Sequence, residues 1–416
     1  MPPVQTGLEI QRQRGLGEPE DVAVTVTRIR PGPPPEGTVR ATPTDTTSIP
    51  FAYGSPAQNS RLPAALPKGE WAIHWMSQVS QDFPPSFVLR DDRRILTEGG
   101  GECILFNIDG KRLAAHRTGP SPAFMDSKAG MYYVARDADH LRVGSLDDGA
   151  QRFLMTMAFG APFARPLVFR AGKRVYVGGY ETQRFSHKPV KANTALMEYQ
   201  EIGQPLKIEG ELLTSIARQE TLLIGARMLM AAAHGDTIHL AIPSHLIAAD
   251  LDFNVNSIGR EGFEPKFFSV DEQSTRYLVV MSGSQLELWA VNAEGLKTLI
   301  FPIPDEMQSV ASPPIIGWDH RIYLLSSAML AALNQAGEML WQRPVMGKAA
   351  GAGVTTDDQI LVAAGSRLLA FAPDGESRTL FEFPGDTLRT PPVLTASGDI
   401  LVASANRLYS LRVVRK

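Results

Sequence analysis

Pro314-Ile315-Ile316-Gly317-Trp318-Asp319-His320-Arg321-Ile322-Tyr323-Leu324-Leu325 sets an apolar strand, a polar turn and a second apolar strand side by side. The same pattern returns at Val354-Thr355-Thr356-Asp357-Asp358-Gln359-Ile360-Leu361-Val362-Ala363 and again at Pro392-Val393-Leu394-Thr395-Ala396-Ser397-Gly398-Asp399-Ile400-Leu401-Val402-Ala403. Short apolar runs separated by Gly, Asp, Asn and Ser read as strands joined by tight turns. Each copy is followed by a short polar break and a third strand, such as Arg367-Leu368-Leu369-Ala370-Phe371 or Arg407-Leu408-Tyr409-Ser410-Leu411. A turn built from Asn, Asp or Pro with Gly comes next in most copies: Asn107-Ile108-Asp109-Gly110, Asn292-Ala293-Glu294-Gly295, Asn334-Gln335-Ala336-Gly337 and Pro373-Asp374-Gly375. Glycine there supplies the positive φ of a hairpin turn, and a fourth strand closes the unit.

Units of this kind repeat from about residue 69 to the end. The apolar residue that opens the second strand falls at Ile95, Tyr133, Val175, Ile238, Leu278, Ile322, Ile360 and Ile400, at intervals of 38, 42, 63, 40, 44, 38 and 40 residues. A four-stranded antiparallel unit at a period near forty is a propeller blade. Eight anchors predict an all-β, eight-bladed β-propeller over residues 69–416, with an insertion or a degenerate blade in the 63-residue interval. The last unit ends after its third strand. Lys68-Gly69-Glu70-Trp71-Ala72-Ile73-His74-Trp75, which resembles Ala336-Gly337-Glu338-Met339-Leu340-Trp341, is expected to complete it and so close the ring.

Residues 1–68 hold 12 of the 31 prolines, and predict an extended Pro-rich arm. Within it Val22-Ala23-Val24-Thr25-Val26-Thr27-Arg28-Ile29 alternates as a strand does. Val22, Val24 and Val26 are the candidate contacts through which this piece adds to a sheet edge of a neighbouring subunit.

Ala332-Leu333-Asn334-Gln335-Ala336-Gly337-Glu338-Met339-Leu340-Trp341, together with Pro313-Pro314-Ile315 and Pro391-Pro392-Val393, resembles the PQQ-like repeat family of eight-bladed propellers. Its repeat reads Ala-x-Asp-x-x-Thr-Gly-x-x-x-Trp. The resemblance covers about residues 69–416 and is strongest in the last three units. It implies that the repeat tryptophan docks onto the next blade. It also implies one of two roles: a quinoprotein dehydrogenase, or a non-catalytic scaffold like the family's outer-membrane assembly lipoprotein. The dehydrogenases hold their quinone with vicinal cysteines and a calcium ion with Glu, Asn and Asp. This chain has one cysteine, Cys103, in the alternating stretch Glu102-Cys103-Ile104-Leu105-Phe106, where a buried structural thiol is expected. No catalytic, cofactor or metal residues are therefore carried over. The reading is a protein-binding scaffold in a multi-protein assembly, with a quinoprotein oxidoreductase or an envelope-assembly factor as alternatives.

A net charge of -3 with 20% charged residues gives no global attraction to nucleic acid. No apolar run reaches the ~18 residues of a spanning helix. Met1-Pro2-Pro3-Val4-Gln5 lacks the pattern of a signal peptide, so a cytoplasmic protein is expected, or a periplasmic one if a signal peptide has been removed. The insertion Glu181 to Asn193 links a second strand to a third. Its Arg184, Phe185, His187, Lys188 and Lys191 suit an acidic protein surface or a phosphate, and are candidate partner contacts. His234, His239 and His245 fall at a turn, in a strand and near that strand's far end, too spread for a shared metal. Asp91-Asp92 and Asp357-Asp358 recur at one turn position, as turn chemistry requires.

Overall fold

The computed structural model describes residues 60–79, strands and one turn between residues 86 and 259, and residues 263–395 and 397–414. The described residues are all-β, with one turn of 3-10 helix at Asp305–Met307 and no α-helix. They form eight antiparallel sheets. In chain order, β1 is Glu70–Gln78. The first sheet is β2 to β5 (Ser86–Arg90, Arg94–Gly99, Glu102–Asn107, Arg112–Arg117). The second is β6 to β9 (Ala123–Ser127, Gly130–Asp137, His140–Ser145, Gln151–Thr156), and the third is β10 to β12 (Leu167–Ala171, Arg174–Tyr180, Thr194–Tyr199). The fourth is β13 to β16 (Met230–His234, Thr237–Ile242, His245–Asp250, Val255–Gly259), and the fifth is β17 to β20 (Phe263–Val270, Arg276–Ser282, Gln285–Val291, Lys297–Pro302). The sixth is β21 to β24 (Ile315–Ile316, Ile322–Leu325, Met329–Leu333, Met339–Pro344), and the seventh is β25 to β28 (Ala349–Val354, Ile360–Ala364, Arg367–Phe371, Ser377–Glu382). The eighth joins β29 to β31 (Val393–Leu394, Ile400–Ala403, Arg407–Val414) to β1, in the order β1-β31-β30-β29.

Apart from β1, strands within a sheet follow one another in space as in sequence, because turns of two to five residues permit only an antiparallel neighbour; β11 and β12 pair in the same way although thirteen residues separate them. All eight apolar residues from Ile95 to Ile400 that mark the repeat stand in the second strands of their sheets. First strands meet first strands, β6 with β10, β10 with β13, β13 with β17 and β21 with β25, and so make an inner wall. The sheets stack face to face around it. Leu288 and Ile303 pack with Ile322 and Leu324 between the fifth and sixth sheets. Tyr323 and Leu330 pack with Ile360 and Val362 between the sixth and seventh. Trp75 and Leu401 pack with Ile95 and Phe106, so the last sheet lies against the first. This is a β-propeller. Central strands such as Ile360–Ala364 are wholly buried, whereas the outer Ser377–Glu382 is largely exposed.

Neighbouring sheets are keyed by one repeated contact. The Trp341 indole on β24 donates to the carbonyl of Pro373 in the next sheet's turn, at 2.8 Å. Gly375, at φ 88°, lies beneath the ring, where a Cβ would stand 2.9 Å from it. Trp75 does the same on β1, donating to the Ile108 carbonyl at 2.7 Å over Gly110. Leu299 on β20 takes this place over Gly337. Trp75 reaches its seat through a bulge. The pairing of β1 with β31 shifts between Ile73 and Trp75, which sets Trp75 opposite Ser410 as Trp341 stands opposite Ala332.

A buried ion pair locks the same sheet. Asp399, wholly buried, accepts from Arg412 Nε and Nη2 at 2.6 and 2.5 Å, and His74 Nδ1 of β1 lies 3.9 Å from its Oδ2.

Candidate functional site

The densest polar cluster among the described residues sits where the turns between first and second strands gather. Asp271–Thr275, Gly317–Arg321, Thr355–Gln359 and Thr395–Asp399 each close with the first residue's N–H donating to the fifth residue's carbonyl. Ser274, His320, Asp358 and Gly398 hold the left-handed position in the four turns, with φ between 55° and 85°. Short polar side chains and glycine tolerate that conformation best, which explains the Asp, Ser and Gly content of these segments.

Across these turns runs the segment Ser60 to Leu66. It lies on the inner edge of β25, the edge that no strand of its own sheet covers. Arg61 bridges Val354 in parallel register. Leu62 N–H donates to the Val354 carbonyl at 2.7 Å, Val354 N–H to the Ser60 carbonyl at 2.8 Å, and Thr356 N–H to the Ala64 carbonyl at 3.0 Å. Leu66 N–H donates to Asp357 Oδ1 at 3.0 Å. Leu62, Ala64 and Leu66 are buried in the core of the seventh and eighth sheets. Gly353 makes the seat for Leu62, because a Cβ there would stand 2.9 Å from the leucine Cγ.

Arg61 is the best-coordinated side chain of this face. Its guanidinium donates to the carbonyls of Ile316 (3.0 Å) and Gly317 (2.7 Å), pairs with Glu272 Oε2 at 2.5 Å, and lies 4.6 Å from the centre of the Trp318 ring. One residue thereby ties the fifth, sixth and seventh sheets together. Burial alone would raise the Glu272 carboxyl; the Arg61 hydrogen bond and charge, with His320 3.3 Å away, outweigh it and hold the group below its usual range. Burial and the nearby Asp319 charge raise Asp358, whose Oδ1 accepts from the Trp318 and Asp319 amides. The arrangement is built to hold an extended backbone and one cation. Trp318 remains 43% exposed, which leaves part of the face open.

Asp357 and Asp358 therefore act as turn and segment acceptors. Asp91-Asp92, the insertion residues Arg184, Phe185, His187, Lys188 and Lys191, and the arm residues Val22, Val24 and Val26 lie outside the described residues. The structure brings forward residues that the sequence reading passed over as linker, Ser60 to Leu66. Their signal was the alternation Leu62, Ala64, Leu66, short and interrupted by Pro63.

The three histidines do different things. His234 ends β13 and His245 opens β15. His239, wholly buried in β14, accepts at Nδ1 from Arg276 Nε of the next sheet at 3.0 Å. Burial first, then Arg276 and His234, push its imidazole down to about 3. The folded protein thus holds His239 neutral, while an unfolded chain takes up a proton below the ordinary value of 6.5. Its contribution is complete above that pH and is lost as pH falls towards about 3. Denaturant titrations at pH 7 and pH 5 should differ by about 2 kcal/mol from this group alone. His239→Gln, which keeps an acceptor for Arg276, should flatten that difference; an unchanged slope would show that His239 is not its source.

No protein-family model matches the sequence, and no characterised protein matches it at sequence level. Solved structures do resemble the fold. BamB from Moraxella catarrhalis superposes with a TM-score of 0.51 at 12% identity, over 82% of this chain and 99% of that one. The dihydro-heme d1 dehydrogenase NirN, solved in complex with DHE, gives a TM-score of 0.55 at 12% identity, over 80% of this chain and 78% of its own. Identities this low speak to the fold alone: the chain shares the β-propeller architecture of these two proteins.

Proposed function

We propose that this protein is a non-catalytic scaffold, an eight-bladed propeller of the PQQ-like repeat kind that holds protein partners in a larger assembly. The observation that carries the reading is the exposure of large aliphatic side chains on or beside the outer strands of two neighbouring sheets. Leu296, just before β20, is 66% exposed, Ile300 on β20 is 55% exposed, and Leu340 on β24 is 46% exposed. Large aliphatic side chains held in water on rigid outer strands suit a surface that another protein covers. Those strands also end their sheets, so their outer edges offer main-chain groups to a partner. In this reading the basic residues within 181–193 and the alternating segment Val22 to Ile29 are further contacts, the latter on a neighbouring subunit.

Affinity capture from the native source, followed by mass spectrometry, tests it. The triple substitution Leu296→Asp, Ile300→Asp and Leu340→Asp should reduce co-purifying partners at least tenfold while the melting temperature changes little. Recovery of the unaltered protein as a lone monomer would remove the scaffold reading.

A further inference from the structure

The seven residues Ser60 to Leu66 behave as a bound peptide rather than as the start of a domain. Their main chain pairs with β25 by strand addition, and both main-chain groups of Val354 are turned towards them. Alternate side chains Leu62, Ala64 and Leu66 enter the core, and Arg61 has a dedicated cradle of two carbonyls, a carboxylate and an indole. The seat for Leu62 exists because position 353 carries no side chain. No φ in the left-handed range calls for glycine there, so the space beneath Leu62 is what the missing side chain provides. A main-chain template, an arginine cradle and spaced apolar seats are together the parts of a sequence-selective peptide site.

We propose that the inner edge of β25, with the turns at 271–275 and 317–321, is a recognition site for an extended Arg-Leu-x-Ala-x-Leu peptide, which the chain fills with its own residues 60–66. Only Pro67, Lys68 and Gly69 separate Leu66 from β1. Three residues span about 10 Å, so the occupant comes from the same chain and not from a second copy. The site is a strap that anchors the chain just ahead of β1. It is independent of the exposed aliphatic side chains at β20 and β24.

The test uses the full chain and, as probe, a fluorescein-labelled synthetic peptide spanning Gln58 to Lys68. Hydrogen exchange at the Val354 and Thr356 amides, which donate to Ser60 and Ala64, reports whether the strap is seated. In the unaltered protein both amides should be protected and the probe excluded. Leu62→Asp empties the seat without filling it: both amides should exchange at least tenfold faster, and the probe should bind at least tenfold more tightly than to the unaltered protein. Gly353→Val fills the seat: the amides should again be exposed, but the probe should stay excluded. Arg61→Ala, a milder release, carries the same expectation as Leu62→Asp if that variant does not fold. The proposal fails if a folded, released variant takes up no probe, if the unaltered protein binds it equally well, or if Gly353→Val keeps both amides protected.

Discussion

A chain cut to begin at Ser80 should fail to give a cooperatively melting ring, whereas one cut to begin at Ser60 should melt within a few degrees of the full chain. The shorter chain loses Leu62, Ala64 and Leu66 from the core, but the larger difference lies in β1. It supplies the fourth strand of the last sheet, paired with β31 from Glu70 opposite Val414 to Gln78 opposite Arg407. Without it that sheet retains the two-residue β29, the four-residue β30 and an exposed β31. The loss of Trp75, wholly buried against Ile95, Phe106, Leu401 and Leu408, is worth about 3–5 kcal/mol by itself. Trp71 is also lost from the neighbouring core, and His74 from beside Asp399. The sum reaches the 5–15 kcal/mol on the order of which whole domains are stable. It also leaves the edge of β31 unpaired and open to pairing with another chain. Thermal scans with size-exclusion chromatography would decide. A cooperative, monomeric transition at the original temperature for the chain starting at Ser80 would mean that β1 does not close the ring.

Trp341→Ala should cost about 3–5 kcal/mol of unfolding free energy, the second-largest effect expected of this molecule. The indole is 8% exposed, lies 6.0 Å from the Tyr323 ring and 6.4 Å from the Phe371 ring, and fills the joint between the sixth and seventh sheets. Trp341→Phe keeps most of that contact but loses the donor to Pro373. It should cost about 1 kcal/mol more than the lost ring area accounts for. Arg321 Nη1 still reaches the same carbonyl at 2.7 Å, which limits the penalty for leaving it unpaired. Gly375→Ala suffers twice, from the positive φ and from contact with the ring; in a Trp341→Ala background only the first remains. The two substitutions should therefore be less than additive by about 1 kcal/mol in denaturant titrations. Strict additivity would separate the indole from the turn and end this account of how the sheets are keyed.

The stretch from Pro314 to Leu325 and its two later copies identify strand, turn and strand because alternation and turn chemistry act within about ten residues. That is why Ile322, Ile360 and Ile400 could be placed on second strands without coordinates, and why Asp358 and Gly398 read as turn residues. The repeat period then implied a propeller, since units that cannot bury both faces alone must stack. Other features were beyond local reading. The resemblance between Gly69 to Trp75 and Gly337 to Trp341 was visible, but the first segment holds two tryptophans, Trp71 and Trp75, at spacings from the glycine that differ from Trp341's. Only the bulge after Ile73 selects Trp75. Ser60 to Leu66 read as linker because three small or aliphatic residues among prolines carry little burial of their own. Their value comes from Gly353, Val354 and the Arg61 cradle, 211 to 256 residues away for the arginine's partners. Trp75 and Trp341 likewise find their acceptors 33 and 32 residues on, in a different sheet. The sequence by itself determined the strands, the turns and the repeat, all set by neighbours along the chain; which tryptophan keys a joint and which piece of the arm is held were decided by the tertiary structure, because those partners come together only when the ring closes.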